Sequence, residues 1–386
     1  MHQNKPRPLE ETRAEITALD HEIQQLFLRR MACSEQVADC KLSTGDAILK
    51  PEREKFLLDT LGAQVPDDLR QEYVSMLKNV MRVSRKRQYA LMLSRDPSRL
   101  DLHFVPRNEA PQTVVYQGLP ASYQSAAARA MFPDAPVIDH VATFEDVFRA
   151  VAAGRADVGV VPVENSTVGT INEACDLLVK YDLYITHSHV DRICNCLCAC
   201  AGASLDSIRT AVSIKPALGQ CQSFLKAHGL TQQEAANTAV AAQMVAEAHD
   251  PTLAAVCSEQ AASLYGLTVL SYNINDDKSN RTRFIAVARG LSAQPEDNRI
   301  SLSFTLPHCR GSLAGALSIC ADHEINLTEI HSRPLPETPW NYRFYVDLEG
   351  SLCDPTVCAM IYQLSEELST VRILGSYQNN ESTETR

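Results

Sequence analysis

Long apolar runs are missing from this chain of 386 residues. No uninterrupted apolar stretch reaches the length a bilayer demands, so a helical membrane protein is excluded. An excess of basic charge is missing too: 36 Lys and Arg stand against 47 Asp and Glu, a net charge of -11. Nucleic-acid binding needs a basic face, so that class of partner is not expected. Small anions remain open as substrates, because a few local arginines decide that question. Met1 to Leu9 lack an apolar core, so no signal peptide is expected and the location expected is cytoplasmic. Aromatics are scarce, with a single tryptophan. Cysteine is plentiful: 13 in a chain read as lacking a signal suggest reduced thiols in a reducing compartment. Four of them, Cys194, Cys196, Cys198 and Cys200, alternate within ICNCLCAC and would share one face of a strand. Two readings fit them, a soft-metal site or small apolar side chains packed under a helix. The second is preferred, because no histidine lies in the run and no second pair follows at zinc-site spacing. No cofactor is expected.

The length predicts two or three domains. Residues 1–93 have helical periodicity and no strand-like runs. Residues 94–112 are polar and read as a linker. Residues 113–290 alternate short β-rich runs with helical stretches, which predicts two α/β lobes around a cleft. Residues 299–378 read strand, helix, strand, strand, helix, strand, the ferredoxin-like α+β unit. The tail QNNESTETR is read as disordered.

In the helical zone a helix over about 9–43 carries the apolar stripe Ile16, Leu19, Ile23, Leu26 and Val37. Arg30 and Lys41 fall within about 20° of the middle of that stripe, and Arg13 at its edge. Pro51 predicts the start of a second helix carrying Arg53 and Glu54. A third helix, about 67–93, has Ser84 and Gln88 on or beside its stripe. Each polar residue alone could be a side chain reaching past apolar neighbours to solvent. Together they predict a polar pocket between helices. Several cations, one carboxylate and two neutral hydrogen-bonding groups, without His or Cys, suit a small dianion whose reaction needs only positioning and charge stabilisation. All of them lie in residues 1–95, which are therefore expected to carry this activity alone.

These residues, within ETRAEITALDHEI, the LRR at Arg30, PEREK and Ser84…Gln88, resemble the all-helical chorismate mutase family. The resemblance implies that Arg13 from a partner subunit and Arg30 hold the substrate carboxylates. Lys41 and Gln88 would donate to the ether oxygen, Glu54 would take the ring hydroxyl, and Arg53 and Ser84 would assist binding. Lys50 departs from a family that can carry an acidic residue there. In the middle zone VVPVENSTVGT, NRTRF and a YQG…SY turn resemble prephenate dehydratase, which folds like a two-lobed periplasmic binding protein. Thr282 is then the candidate proton donor, with Arg283 nearby and Glu164 as an alternative acid if its pKa is raised. Asn165, Ser166 and Thr167 would bind the pyruvyl carboxylate, with Ser122 and Tyr123 on the opposing turn. Taken alone, the Ser and Asn of these turns read as helix caps. Ala121, Gln124, Asn195 and the segment SIKPALGQC depart from the family pattern, leaving open whether arogenate is accepted.

The last unit resembles a phenylalanine-binding ACT domain through Gly311, Ser312 and Leu313 and through His331, Ser332, Arg333 and Pro334, extended by SRPLPETPWNYRFYVDLEG. Arg310, Ser312 and His331 are departures there. Because His331 puts an imidazole where an anion is usual, the effect of phenylalanine is expected to vary with pH between roughly 6 and 8, unless His331 faces solvent at a strand end. The order of the three units is that of the bifunctional chorismate mutase–prephenate dehydratase family, the P-proteins. The resemblance implies chorismate and prephenate as substrates, phenylalanine as effector and a homodimer or larger homo-oligomer. A catalytically silent or monofunctional amino-acid sensor on the same folds is the competing reading.

Overall fold

The computed structural model describes residues 7–335 and 341–380. PETPW of the ACT-like motif, Met1 to Pro6 and the last six residues of the tail lie outside the described residues. The chain opens with helices α1 (Leu9–Thr44), α2 (Pro51–Gly62) and α3 (Arg70–Arg95). Then follow β1 (Thr113–Gln117), α4 (Tyr123–Met131), β2 (Val137–Val141), α5 (Phe144–Ala152), β3 (Val158–Asn165), β4 (Gly169–Thr170), α6 (Asn172–Tyr181) and β5 (Tyr184–Arg192). Next come β6 (Cys196–Ala199), β7 (Thr210–Ser213), α7 (Lys215–Gln220), α8 (Gln222–Ala227), β8 (Thr231–Glu234), α9 (Thr238–Ala248), β9 (Leu253–Cys257), α10 (Glu259–Leu264), β10 (Thr268–Ser271) and β11 (Arg281–Ala288). The C-terminal part is β12 (Arg299–Leu306), α11 (Ser312–Asp322), β13 (Leu327–Pro334), β14 (Tyr342–Glu349), α12 (Pro355–Glu367), β15 (Thr370–Tyr377) and β16 (Asn379–Asn380).

Two compact units result. The first joins the described part of Met1–Asp101 to Phe304–Asn326 and Asp354–Val371; the second joins Leu102–Ser303 to Leu327–Cys353 and the described part of Arg372–Arg386. In the first unit α2 starts at Pro51, whose fixed φ suits a first helical turn. Helix α1 ends at Gly45, which takes the left-handed φ of 74° and closes on the Lys41 carbonyl. Ala38, Ile48, Tyr89, Met92 and Tyr362 form the core that packs α1 and α3 with α12. The stripe predicted to face a core behaves differently. Ile16, Leu19, Ile23 and Leu26 are half or more exposed, at 53, 50, 57 and 61%. Buried positions in α1 begin only at Ser34, because a helix about 54 Å long outruns the elements that cover it in this chain.

In the second unit the larger sheet runs β13-β14-β12-β15-β5-β11-β3-β1-β2, with β4 on β3 and β16 on β5. The smaller sheet, β10-β6-β9-β7-β8, forms the other lobe. Strands β1, β2 and β3 are parallel, while β11 runs antiparallel between β3 and β5. That register sets Thr282 opposite Asn165 and Arg283 opposite Glu164. Cys196 and Cys198 lie in a core shared with Ala241, Val245 and Cys257, under α9.

Three expectations change. TQQE forms the short exposed strand β8, which its polar composition hid. The tail begins ordered: Asn379 pairs with Ser188, accepting its hydroxyl at 2.9 Å, and its N–H reaches the Asn298 side chain at 2.8 Å. The segment read as linker docks at Arg107, which makes a bidentate pair with Asp297 at 2.8 and 2.7 Å, nearly sealed from solvent.

Candidate active sites

Helical spacing builds the first site. On α3, Met81, Ser84 and Gln88 share one face and are buried. Facing them from α1 are Arg30, Ser34, Val37 and Lys41; the α1–α2 connection adds Asp46, Ile48 and Lys50, and α2 adds Arg53, Glu54 and Leu57. Together they enclose a cavity of about 370 Å³. The Arg30 guanidinium donates to the Ser84 hydroxyl and, at 3.2 Å, to the Val80 carbonyl. Lys41 Nζ donates to the Ile48 carbonyl at 2.6 Å, which leaves two of its N–H groups for a ligand. Burial, then the neighbouring Lys50, holds the Lys41 pKa below the ordinary lysine value. Gln88 Nε2 donates to Ser34 at 2.8 Å, while its Oε1 is buried without a partner. Such an orphan is costly, and rotating the amide would turn Nε2 into the cavity while Oε1 accepts from Ser34.

Six predicted residues therefore converge: Arg30, Lys41, Arg53, Glu54, Ser84 and Gln88. Arg13 does not join them. It is exposed and pairs with Glu10 at 3.1 Å, one turn away. Two charged lining residues were missed, as were Cys33 and Ser34. Asp46 reaches Lys50 at 2.7 Å, so an acid supplied by the loop sits beside the lysine that departs from the family pattern. Arg85 holds Glu54 at 2.5 Å. Its position next to Ser84 on α3 was the available signal.

The second site lies at the end of β3 and the start of β11. Asn165 Oδ1 accepts from the N–H groups of Thr167 and Val168, both at 3.0 Å, which settles its amide orientation. Its Nδ2 then points at Thr282 Oγ1 and at Asn280 Oδ1, both 2.9 Å away. Thr282 thus accepts from Asn165 and keeps its own O–H to donate. Thr167 Oγ1 also donates to Asn280 Oδ1, at 3.2 Å, and Ser166 Oγ accepts from the Arg281 N–H at 2.9 Å. Asn280, almost fully buried, donates in turn to Gln220 of the other lobe at 3.0 Å. Asn280 and Gln220 were missed. The first stands at the head of NRTRF, and the second ends the altered SIKPALGQ segment. Tyr123 also bridges the lobes, donating to the Cys194 carbonyl at 2.9 Å and to Asn195 Oδ1 at 3.2 Å. Ser122 caps α4 by accepting from the Ser125 N–H at 3.3 Å. Ala121, where the family often has glycine, adopts a left-handed φ of 63°, a conformation that favours glycine. A larger depression of about 580 Å³ between α4 and α10 contains none of the candidate residues.

Glu164 and Arg283 are not brought to Thr282. Successive strand residues point to opposite faces, so this pair turns away from Asn165 and Thr282. Arg283 reaches Glu164 at 3.1 Å, Glu329 at 2.8 Å, Asp347 at 2.9 Å and Tyr377 at 3.1 Å. Burial, helped by the nearby Glu329, raises the Glu164 pKa.

Of the effector residues, Ser312 donates to the Pro307 and Cys309 carbonyls at 2.8 and 2.7 Å, just after Gly311 with its φ of 81°. Leu313 follows Ser312 in α11. His331 does not face solvent at a strand end. Its ring stacks on Tyr345 at 5.1 Å, and Nδ1 lies 3.6 Å from Glu329, beyond a normal hydrogen bond. Arg333 pairs with Asp176 at 2.8 Å, with Ser332 before it and Pro334 after it in β13.

Comparison with known proteins gives two family matches, prephenate dehydratase over residues 114–291 and chorismate mutase type II over residues 12–89. The chain is similar to a bifunctional chorismate mutase/prephenate dehydratase of Aquifex aeolicus, 31% identical over 96% of this chain and 97% of that protein. It is 36% identical to an arogenate dehydratase/prephenate dehydratase of Arabidopsis thaliana over 68% of this chain and 72% of that one. A prephenate dehydratase from Arthrobacter aurescens, solved in complex with L-Phe, superposes with a TM-score of 0.64 at 28% identity, over 69% of this chain and 90% of that one.

Proposed function

Because the chain belongs to the bifunctional chorismate mutase/prephenate dehydratase family and carries both enzymes, we propose that its two polar clusters divide the reactions between them. The α1–α3 cavity rearranges chorismate to prephenate, and the Asn165–Thr282 cluster converts prephenate to phenylpyruvate. The observation that carries the first assignment is the convergence of Arg30, Lys41, Arg53, Glu54, Ser84 and Gln88 on one cavity. A Claisen rearrangement needs no proton transfer: one C–O bond breaks while one C–C bond forms. Negative charge gathers on the ether oxygen, where Lys41 and the rotated Gln88 amide donate. Arg30 holds one carboxylate, Glu54 accepts from the ring hydroxyl, and Arg53 and Ser84 assist. The charge and size of the cavity confine the substrate to its reactive conformer.

In the dehydratase, the bond to the ring carboxylate breaks and CO2 departs. Its electron pair enters the ring, and the C–O bond on the opposite side breaks as the leaving hydroxyl takes a proton. Aromatisation drives the step. Thr282, polarised by the Asn165 amide, delivers that proton, and one proton is taken from solvent overall. Ser166 and Thr167 hold the pyruvyl carboxylate, with Asn165, whose amide is engaged by Thr282, Asn280 and the Thr167 and Val168 N–H groups, fixing their turn, and Ser122 and Tyr123 on the facing turn. Glu164 and Arg283 act from behind the sheet, by fixing β3 and β11, rather than on the substrate.

Arg13 completes the mutase site from a second copy of the chain, which the exposed stripe of α1 joins. Phenylalanine, which the Arthrobacter prephenate dehydratase binds in its complex, is here the effector of the C-terminal region that holds the Gly311-Ser312-Leu313 and His331–Pro334 motifs. The 13 cysteines, read as reduced thiols, support a cytoplasmic enzyme, and no helix among the described residues is long and apolar enough to cross a membrane.

Purified chain supplied with chorismate, and separately with prephenate, tests the division. Lys41→Ala should lose mutase activity by about 100- to 1000-fold and spare dehydration, and Thr282→Ala should do the reverse. Near-normal dehydration by Thr282→Ala would remove the proton from that hydroxyl. Inhibition by added phenylalanine is expected in the same dehydratase assay, and none at millimolar concentration would remove the effector role.

A further inference from the structure

Helix α3 has a second working face. Arg85 lies at the edge of the cavity and reaches towards α12, where Tyr89 also packs. Tyr89 meets Tyr362 edge to face at 5.4 Å, and both are buried. Arg82 pairs with Asp322 at 2.6 Å, and Lys86 bonds the Asp322 carbonyl, so α11 is tied to α3 as well. Between these contacts sits Arg85. Its Nε and Nη2 engage both oxygens of Glu367 at 2.7 and 3.0 Å. Its Nη1 donates to Glu54 Oε1 at 2.5 Å. The side chains of Arg85 and Glu367 are only 12 and 8% exposed, so solvent screens the pair weakly. Glu367 is itself fastened: Gln363 Nε2 donates to it at 3.0 Å, and Gln363 Oε1 lies 3.0 Å from His323 Nε2.

We propose that Arg85 and Glu367 are positioning residues of the mutase: Glu367, on the C-terminal helix α12, occupies the Arg85 fork so that Arg85 holds one oxygen of Glu54 and leaves the other for the substrate. This rests on Glu54 being the acceptor of the ring hydroxyl. A guanidinium is a planar fork that prefers two parallel bonds to a carboxylate. Glu367 takes the Nε and Nη2 edge, so Glu54 receives a single bond through Oε1, and Oε2 is uncommitted among the described residues. Without Glu367 the fork is free to close on Glu54, taking both oxygens and drawing off the charge that accepts the hydroxyl. The mutase site is then not self-contained in residues 1–95, as its motif residues suggested. A residue of the C-terminal region sets the binding of the first substrate.

The test uses the full-length chain and five variants, with mutase and dehydratase assayed separately. Glu367→Gln should raise KM for chorismate roughly 2- to 30-fold with a smaller change in kcat, and leave dehydration of supplied prephenate unchanged. Glu367→Asp, which keeps the charge, should recover most of that loss. Combining Glu367→Gln with Glu54→Gln should add little to Glu54→Gln alone, whereas a purely structural role would add its full effect. An unchanged KM in Glu367→Gln, or additive effects, overturns the proposal. If Glu54→Gln leaves the mutase unimpaired, it is the reading of Glu54 that fails. Should Glu367→Gln not fold, Arg85→Lys keeps the cation but removes the fork, and an unchanged KM there overturns the proposal equally.

Discussion

At the scale of single residues, the Asn165–Thr282 cluster, proposed to act in dehydration, places an amide donor on an unactivated hydroxyl. A threonine O–H is a poor acid. Asn165 is locked by two backbone N–H groups, so its amide can only donate to Thr282. In the mutase cavity the corresponding tuning falls on Lys41, whose pKa burial and then Lys50 lower. Only the protonated amine brings a positive charge to the ether oxygen, where negative charge develops. A lowered pKa means that this form is lost earlier as pH rises. We therefore expect mutase kcat/KM, which reports the free enzyme, to fall on the alkaline side with a midpoint below about 10.4, the ordinary lysine value. The pH profile of Lys41→Arg is the check, because an arginine stays charged throughout that range. An equal alkaline limb in both proteins would assign the titration to another group.

At the scale of elements, strand alternation explains why motif residues next to each other part company. ENS and TRF each read as one site, yet Glu164 and Arg283 belong to the back of the sheet and Asn165 and Thr282 to its front. At the junction of β15 with β5 the two strands approach closely. Gly375 pairs with Ile185, and a Cβ there would lie inside contact distance of the Ile185 carbonyl. Gly375→Ala should destabilise the chain by about 1–3 kcal/mol, since backbone cannot move aside as a flexible side chain can. Thermal unfolding followed by circular dichroism measures it, and an unchanged midpoint would show that β15 shifts freely.

At the scale of the whole molecule, the apolar stripe of α1 has no cover in the single chain. Ile16, Leu19, Ile23 and Leu26 line a surface of the kind that marks an interface. Since Arg13 lies on the same exposed stretch, assembly and mutase catalysis should fail together. Leu19→Glu with Ile23→Glu should dissociate the oligomer on size exclusion and lower mutase kcat/KM about 30-fold or more, while dehydration of supplied prephenate persists. Full mutase activity in a monomeric variant would place Arg13 outside the chemistry.

The sequence by itself determined most of the element order, the two enzyme motifs and most residues of the α1–α3 cavity. Helical and strand periods are local properties, and Arg30, Lys41, Ser84 and Gln88 recur at the spacing of one helix face. It did not reveal Asn280, Gln220, Asp46 or Arg85, whose roles depend on neighbours far along the chain. Only tertiary structure decided that Glu164 turns from Thr282 to Arg283, that His331 stacks on Tyr345, and that Glu367 reaches Arg85 at the edge of the α1–α3 cavity. A hydrogen bond between residues 85 and 367 leaves no period in either segment, because packing alone brings them together.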